Sequence, residues 1–498
     1  MGTTRLTTQA AIIGAGRLLN MAAAASTLMV LARIMPNKES YGAVCQLIML
    51  YMVLSQIFAV GLPQSTFYFL PRYQGGERRG FLIQTVLLLM LSGVVLGCLL
   101  YTGAAGVGRL LGSPLLGDLL RVFAIYPIFM LPTLAVEGTL LHANRPAAVV
   151  IFNASVRVGM FCALVIPIFY HATLVQAITV WMVEAGVMWG IALALMFSTV
   201  RGVRAAWKRE MLHDEWGFSL PLAAVTLIAI SSNYVDRFLV SHAFGSAMFG
   251  VYTNGTIEIP TVTMVTNATA VVLMAEFSRR TSVGDFDGVL PIWHRAMVKM
   301  GVLIFASLGF LAFWGHETMQ ILFSNRFADS GTIFSIYVWI VPLLLFAMQP
   351  LYVSIGATRV LIAVTAFDLC VGTACVLFFG HYFGMIGMAF GAIFSKYIGT
   401  SLWVHWYVRW ITKIGWVAFM PWKKIATILV TAVLAGGMSR LLHFWLTPTL
   451  PMLAEYVVAI LVYLPLYAIG LYFTHLLDAV VPARFLPARG MTRKEVTV

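Results

Sequence analysis

The sequence predicts an all-α integral membrane protein of about fourteen transmembrane helices, and three observations carry that prediction. Of its 498 residues, 60% are hydrophobic and 10% are charged, against about 25% charged in a soluble domain. The mean hydropathy is +0.90. Runs of 18 or more apolar residues recur along the whole length, each long enough to cross the hydrocarbon core of a bilayer.

Taken in order, the spans fall at 9–33, 41–62, 81–107, 118–141, 147–170, 174–198, 218–243, 247–275, 291–315, 331–355, 359–381, 384–408, 424–446 and 453–476. The small residues Ala22 to Ser26 give the first span something of a signal peptide. Arg17 interrupts its apolar core and the segment is long, so it reads as an uncleaved helix. The five cysteines (Cys45, Cys98, Cys162, Cys370 and Cys375) lie within apolar segments, without metal-type spacing. They read as buried thiols.

The loops between these spans set the orientation. Arg72, Arg78 and Arg79; Arg201, Arg204, Lys208 and Arg209; Arg279 and Arg280; Lys413, Lys423 and Lys424; and Arg484, Arg489, Arg493 and Lys494 all fall on one side, joined by Arg145 and Arg359. Opposite loops hold little beyond Arg33, Lys38, Arg109 and Arg326. The positive-inside bias makes the clustered side cytoplasmic and places both termini there. The net charge of +13 thus reads as topology and contact with anionic headgroups, and not as nucleic-acid binding.

A weak internal repeat runs through the chain. Leu31-Ala-Arg-Ile-Met-Pro-Asn-Lys-Glu-Ser-Tyr-Gly42 finds a counterpart in Val240-Ser-His-Ala-Phe-Gly-Ser-Ala-Met-Phe-Gly250, each ending in aromatic-Gly at the entry to a helix. Ala124-Ile125-Tyr126 likewise matches Ser335-Ile336-Tyr337, and His142-Ala-Asn-Arg145 matches Gly356-Ala-Thr-Arg359. The offsets are 208 to 214 residues. Two six-helix lobes in parallel orientation follow, over 1–200 and 217–410, with two further helices and a basic cytoplasmic tail over 411–498. No loop is long enough to fold as a separate domain. No phosphate-binding loop, nucleophile elbow or HExxH motif is present, so the chemistry is expected between helices and nothing argues for an enzyme.

Polar groups at membrane depth are the candidate site. A charge there costs about 2.5–3.5 kcal/mol on insertion scales and is rarely placed without a partner or a polar cavity. Arg17 and Asn20 in span 1 share a helical face, and Asn153 and Arg157 in span 5 repeat the device. Arg17, Arg157, Asn20 and Asn153 are expected to line a cationic lumen that binds diphosphate or acidic sugars, with Lys396 a weaker member. Asp236, Arg237, Glu258, Asp368 and Glu184 are candidates for gating or ion coupling. The blander reading is that these charges pair among themselves and fix helix packing. Lys396 with Asp368 is one such pair, and Asp236 and Arg237, about 100° apart on one helix, would each reach another span.

Three segments resemble the polysaccharide flippases of the Wzx type, in the superfamily that also holds multidrug extruders and the lipid II flippase. They are the first helix with Arg17 followed by Leu31-Ala-Arg-Ile-Met-Pro and Tyr41-Gly42, then Gly61-Leu-Pro-Gln-Ser-Thr-Phe-Tyr-Phe-Leu-Pro-Arg-Tyr73, then Asn233-Tyr-Val-Asp-Arg-Phe-Leu-Val with Phe249-Gly-Val-Tyr252. The resemblance implies a MATE-like fold in a bacterial inner membrane. It also implies translocation of undecaprenyl-diphosphate-linked oligosaccharides for exopolysaccharide, O-antigen or capsule. Alternating access without a bound cofactor, coupled to H+ or Na+, is expected with it. A polysaccharide polymerase and a chain-length regulator are the implied partners. Two alternatives stay open. A MATE-like drug or cation antiporter would want a carboxylate where span 1 has Arg17, and a membrane-embedded polymerase would want a large outward loop.

Overall fold

In the computed structural model of this chain the apolar runs become helices, and among the described residues no strand occurs. The structure describes residues 16, 20–281, 288–346, 358–403, 406, 416–446 and 451–477. The helices are α1 (Asn20–Ile34), α2 (Lys38–Phe58), α3 (Leu62–Phe69), α4 (Gly75–Leu110), α5 (Pro114–Phe123), α6 (Tyr126–Thr133), α7 (Val136–His142), α8 (Pro146–Phe169) and α9 (Leu174–Ser198). They continue with α10 (Arg209–Gly255), α11 (Pro260–Thr281), α12 (Val289–Phe323), α13 (Ser330–Tyr337), α14 (Thr358–Trp403), α15 (Trp416–Phe419), α16 (Trp422–Leu446) and α17 (Met452–Phe473). A 3-10 stretch, Val338–Phe346, prolongs α13.

Ten of these helices are individually long and apolar enough to cross a membrane, and the bent set α5 to α7 makes an eleventh. The long α10 and α14 each contain one residue off the helix. Gly245 has φ +71° and ψ −174°, and Gly384 has φ +60° and ψ −144°. A side chain is excluded from that backbone region. The arms fold back there: Tyr252 reaches Asp236 in α10, and Lys396 reaches Asp368 in α14. Each of these helices therefore counts as two passages. Among the described residues α1 and the α13 run to Phe346 are apolar but shorter than these helices, and α11 follows the second arm of α10 after residues 256–259.

Three details depart from the expected spans. The fourth is not straight, since α5 and the α6–α7 run meet at 63°, where Pro127 starts α6 and Pro132 lies further along. The eighth is interrupted: residues 256–259 are non-helical, because Pro260 has no N–H and disfavours helix in the residue before it. The short α3 was not anticipated. Its N-cap Gly61 takes φ +71°, and Pro63 opens its first turn.

The chain forms two compact units. The first comprises Met1–Pro260, Met319–Phe334 and Arg359–Lys396; the second comprises Thr261–Thr318, Ser335–Thr358 and Tyr397–Val498. Within the second, α17 is clamped to α12 by two tyrosines one turn apart. Tyr463 and Tyr467 donate to the carbonyls of Ala306 and Val302 at 2.8 and 2.9 Å. Arg440 of α16 pairs with Glu317 at 2.8 Å and covers the Trp314 ring at 4.6 Å.

Within the first unit, α2 and the second arm of α10 meet along a seam with no spare room. Gly42 and Gly250 face each other there. A Cβ on Gly42 would lie 1.8 Å from the Ser246 carbonyl oxygen, and one on Gly250 would lie 3.0 Å from the Tyr41 ring. The Tyr41 hydroxyl donates to Asn254 Oδ1, and Gln46 Nε2 donates to Ser241 Oγ at 2.8 Å. At one end of the seam Lys38 pairs with Asp329 at 3.4 Å, and Arg326 donates to the Met35 carbonyl.

Candidate functional site

A cavity of about 440 Å³ opens inside the first unit. Asn20 at the start of α1 lines it, together with Asn153 and Arg157 on α8. Two helical turns thus carry to one place the amides and the guanidinium that the sequence singles out. Arg17 lies outside the described residues. Arg157 and Asn153 are half-buried, and the Asn20 Oδ1 atom is sealed from solvent with no hydrogen-bond partner.

The rest of the lining was not foreseen. Tyr51, Ser55 and Gln56 come from α2, Tyr126 and Thr133 from α6, Glu137 from α7, Trp181 from α9, and Tyr234 from α10. Tyr51, Tyr126 and Trp181 form one continuous wall. Tyr51 meets Tyr126 edge-on at 4.7 Å, Tyr126 meets Trp181 at 4.9 Å, and Phe123 stacks behind Tyr126 at 4.5 Å. Such contacts are worth about 0.5–1.5 kcal/mol each beyond their burial, enough to keep the wall stiff. Ser55 and Gln56 were visible as a polar pair deep in span 2. No comparable signal separates a cavity tyrosine from a lipid-facing one.

The remaining candidates stand elsewhere. Lys396 pairs with Asp368 at 3.7 Å and donates to Ser232 Oγ at 3.4 Å, so the structure joins it to the packing of α14 on α10. Asp236 accepts from the Tyr252 hydroxyl at 2.7 Å. Arg237 donates to the Thr256 carbonyl at 3.4 Å and lies 5.1 Å from the Tyr234 ring. Both charges therefore meet the returning arm of their helical hairpin, which is the expected span 8, so each reaches another span as the sequence predicts. Glu258 is exposed, in the break at 256–259. Glu184 lies on α9 one turn beyond Trp181, with its side chain against Gly159 of α8. Both of its carboxylate oxygens are sealed from solvent without a hydrogen-bond partner.

One further buried carboxylate holds the cavity's neighbourhood in place. Glu215, fully buried at the start of α10, accepts from Gln84 Nε2 and Thr85 Oγ1 of α4 at 2.7 and 2.6 Å, with Ser65 Oγ of α3 at 2.8 Å. It draws α3, α4 and α10 together. In turn α3 packs on α7: a Cβ on Gly138 would fall 1.9 Å from Thr66 Oγ1.

Helices of membrane length, with a cavity in the first unit that mixes a guanidinium, amides and aromatic rings, define a multi-pass membrane protein. The particular family follows from sequence. The chain belongs to the polysaccharide biosynthesis protein family, whose profile matches residues 6–279. No curated protein matches it by sequence. Among solved structures it is similar to the lipid II flippase MurJ in an inward closed conformation, with a TM-score of 0.73 and 14% identity over 93% of this chain and 99% of that one. It is also similar to an inward-facing multidrug resistance MATE family transporter of the MOP superfamily, with a TM-score of 0.65 and 16% identity over 80% and 95% of the two chains. A MOP superfamily transporter from Pyrococcus furiosus, described as having a binding pocket of reverse polarity, matches with a TM-score of 0.58 and 15% identity over 82% and 96%. Identities this low establish the shared fold alone.

Proposed function

We propose that this protein is a flippase that moves polyprenyl-diphosphate-linked oligosaccharide repeat units from the inner to the outer leaflet of a bacterial inner membrane, feeding surface polysaccharide synthesis. The observation that carries the reading is the cavity with Arg157, Asn153 and Asn20 in its wall. A polar head must cross hydrocarbon while its apolar tail need not. Amides and hydroxyls such as those of Asn20, Asn153, Gln56 and Thr133 replace water on sugar hydroxyls, and an arginine fork suits a phosphate or a carboxylate. The family supports a role in polysaccharide biosynthesis, and the fold is shared with a lipid II flippase.

No covalent step is required. Alternating access does the work, with both termini on the cytoplasmic side as the loop charges suggest. Coupling to H+ or Na+ belongs to the same reading. Asp236 and Asp368 already have Tyr252 and Lys396, so Glu184, sealed and without a hydrogen-bond partner, is the carboxylate we assign to coupling. A polymerase and a chain-length regulator would take the product onward.

The test is deletion in a strain with no redundant flippase, followed by mass spectrometry of lipid-linked intermediates. Repeat units should accumulate on the cytoplasmic leaflet while export falls. Normal delivery to the outer leaflet would sink the proposal.

A further inference from the structure

A second cationic surface lies apart from the cavity lining, built from the turn and helix start at 71–79 and the strap at 201–208 that joins α9 to α10. With Arg209 these segments carry seven arginines and lysines against Glu77, with the carboxylates of Glu210 and Asp214 beside them. The strap is solvent-exposed along its length, yet it is bound to the fold. The Ala206 N–H donates to the Gly76 carbonyl at 2.9 Å, Arg79 donates to the Val203 carbonyl at 2.6 Å, and the Trp207 indole donates to Gln84 Oε1 at 2.6 Å. Lys208 pairs with Glu77. Side chains at Gly76 and Gly80 would block this contact: their Cβ atoms would lie 2.5 Å from the Arg204 carbonyl oxygen and 2.1 Å from that of Ala206. Topogenesis asks only that cations sit in the loop. A strap held by a backbone hydrogen bond and two side-chain ones, across two positions that admit no side chain, has a definite shape as well as a charge.

Aromatic groups set the depth of this surface. The Trp207 side chain is 58% exposed although its N–H is satisfied. Arg72 lies 3.5 Å over the Tyr68 ring, which stacks on Phe218 at 4.8 Å. Exposed tryptophan and tyrosine flanked by arginines are the composition of the headgroup layer. One helix links this surface to the cavity wall: α3 bears Tyr68 and packs Thr66 against Gly138, next in sequence to cavity-lining Glu137.

We propose that this surface is the place where the diphosphate head of a lipid-linked substrate docks before it enters the cavity; the inference rests on the flippase reading. A diphosphate held at headgroup depth by its buried tail lies at the level of Trp207. Arg201, Arg204 and Arg209 offer it forked donors. Because the surface is open, its attraction is screened within about 8 Å at physiological salt, which gives it a signature that an enclosed cavity lacks.

The experiment uses the full chain in nanodiscs of zwitterionic lipid, titrated with farnesyl diphosphate by calorimetry. The triple variant Arg201→Gln, Arg204→Gln, Arg209→Gln should bind at least about tenfold more weakly, the scale of losing one charge-assisted contact. Wild-type binding should weaken steeply with salt. The corresponding triple lysine variant, which keeps charge and loses the fork, should fall between the two. In a transport assay the glutamine variant should raise the half-saturating substrate level and leave the maximal rate unchanged, whereas Arg157→Gln should lower the maximal rate. Unchanged farnesyl diphosphate binding in the glutamine variant overturns the proposal. So does a loss confined to nanodiscs containing anionic phospholipid, which would assign the surface to bulk lipid. If the diphosphate binds as expected but lipid-linked units still reach the outer leaflet in the deletion strain, the flippase reading fails while the docking surface stands.

Discussion

Arg157 is the residue on which the proposed transport turns most directly. It lines the cavity one helical turn from Asn153, and a hydrogen bond to a charged group is worth about 1.5–3 kcal/mol. Arg157→Gln should therefore reduce delivery of lipid-linked units to the outer leaflet by roughly 10- to 100-fold, with membrane insertion unchanged, while Asn153→Ala should have a smaller effect. Full transport by a normally inserted Arg157→Gln protein would remove the cavity from the mechanism. Lys396 calls for a different expectation. Its partner is Asp368, so Lys396→Met alone strands a half-buried carboxylate and should destabilise by about 1–3 kcal/mol, whereas adding Asp368→Leu should recover much of that loss. Thermal unfolding of the two variants in detergent measures both. Arg157, Asn153 and Asn20 were legible in the sequence because a polar group stands out in an apolar run and helical spacing gives it a face. The pairing of Lys396 with Asp368 was legible for the same reason. Tyr51, Tyr126 and Trp181 were not, since an aromatic ring on a membrane helix reads alike toward lipid, core or cavity.

Helices were legible wherever hydropathy alone determines them, and α9, expected over 174–198, spans Leu174–Ser198. Breaks were harder, because they depend on single residues whose effect is set by neighbours. Pro260 announces the end of a helix, but not that Glu258 would sit in the resulting gap. Gly245 was visible as a turn residue, yet only the structure gives its ψ of −174°. Gly245→Ala should cost about 1–3 kcal/mol, and its Cβ would also press on the Gly112 carbonyl at 3.1 Å. Gly245→Asn should fail equally, because asparagine relieves only the left-handed helical region. A drop in the thermal midpoint for both variants checks this, and recovery by asparagine would contradict it. Glu215 belongs to this scale as well, for it joins three elements. Glu215→Ala leaves the buried Gln84 and Thr85 donors without their acceptor, at about 1–3 kcal/mol for each orphaned group. It should lower thermal stability further than Glu137→Ala. Proteolysis near α3 should also rise, and unchanged susceptibility there would show that the carboxylate is not what holds α3.

Over the whole molecule, the proposed alternating access requires that one closed boundary open as another closes, and the tightly packed seam between α2 and the second arm of α10 is the boundary we assign to that role. The two facing glycines stand 208 positions apart, the spacing of the internal repeat. A buried hydrogen bond from Tyr41 to Asn254 lies in it, and one from Gln46 ties α2 to Ser241 on the first arm beside it. Each contributes about 0.5–1.5 kcal/mol net, so the seam is firm without being permanent, and a substrate with a few kcal/mol of preference for the open form can shift it. Cys45 supplies a native reporter, since its thiol is 3% exposed on α2 between Tyr41 and Gln46. In a background with the exposed Cys98 and Cys370 replaced by alanine, Gly250→Val should wedge the seam. A maleimide should then modify Cys45 at least several-fold faster than in the parent. Conversely, Lys38→Cys with Asp329→Cys, joined at the site of the 3.4 Å ion pair by a short bis-methanethiosulfonate, each end of which forms a disulfide and releases methanesulfinate, should slow Cys45 labelling and stop transport, with either single variant unaffected by the reagent. Loss of transport together with protection of Cys45 would identify the seam as the gate through which substrate leaves. Transport at the parental rate in the cross-linked protein would mean that this seam is a fixed join and that the opening lies elsewhere in the molecule.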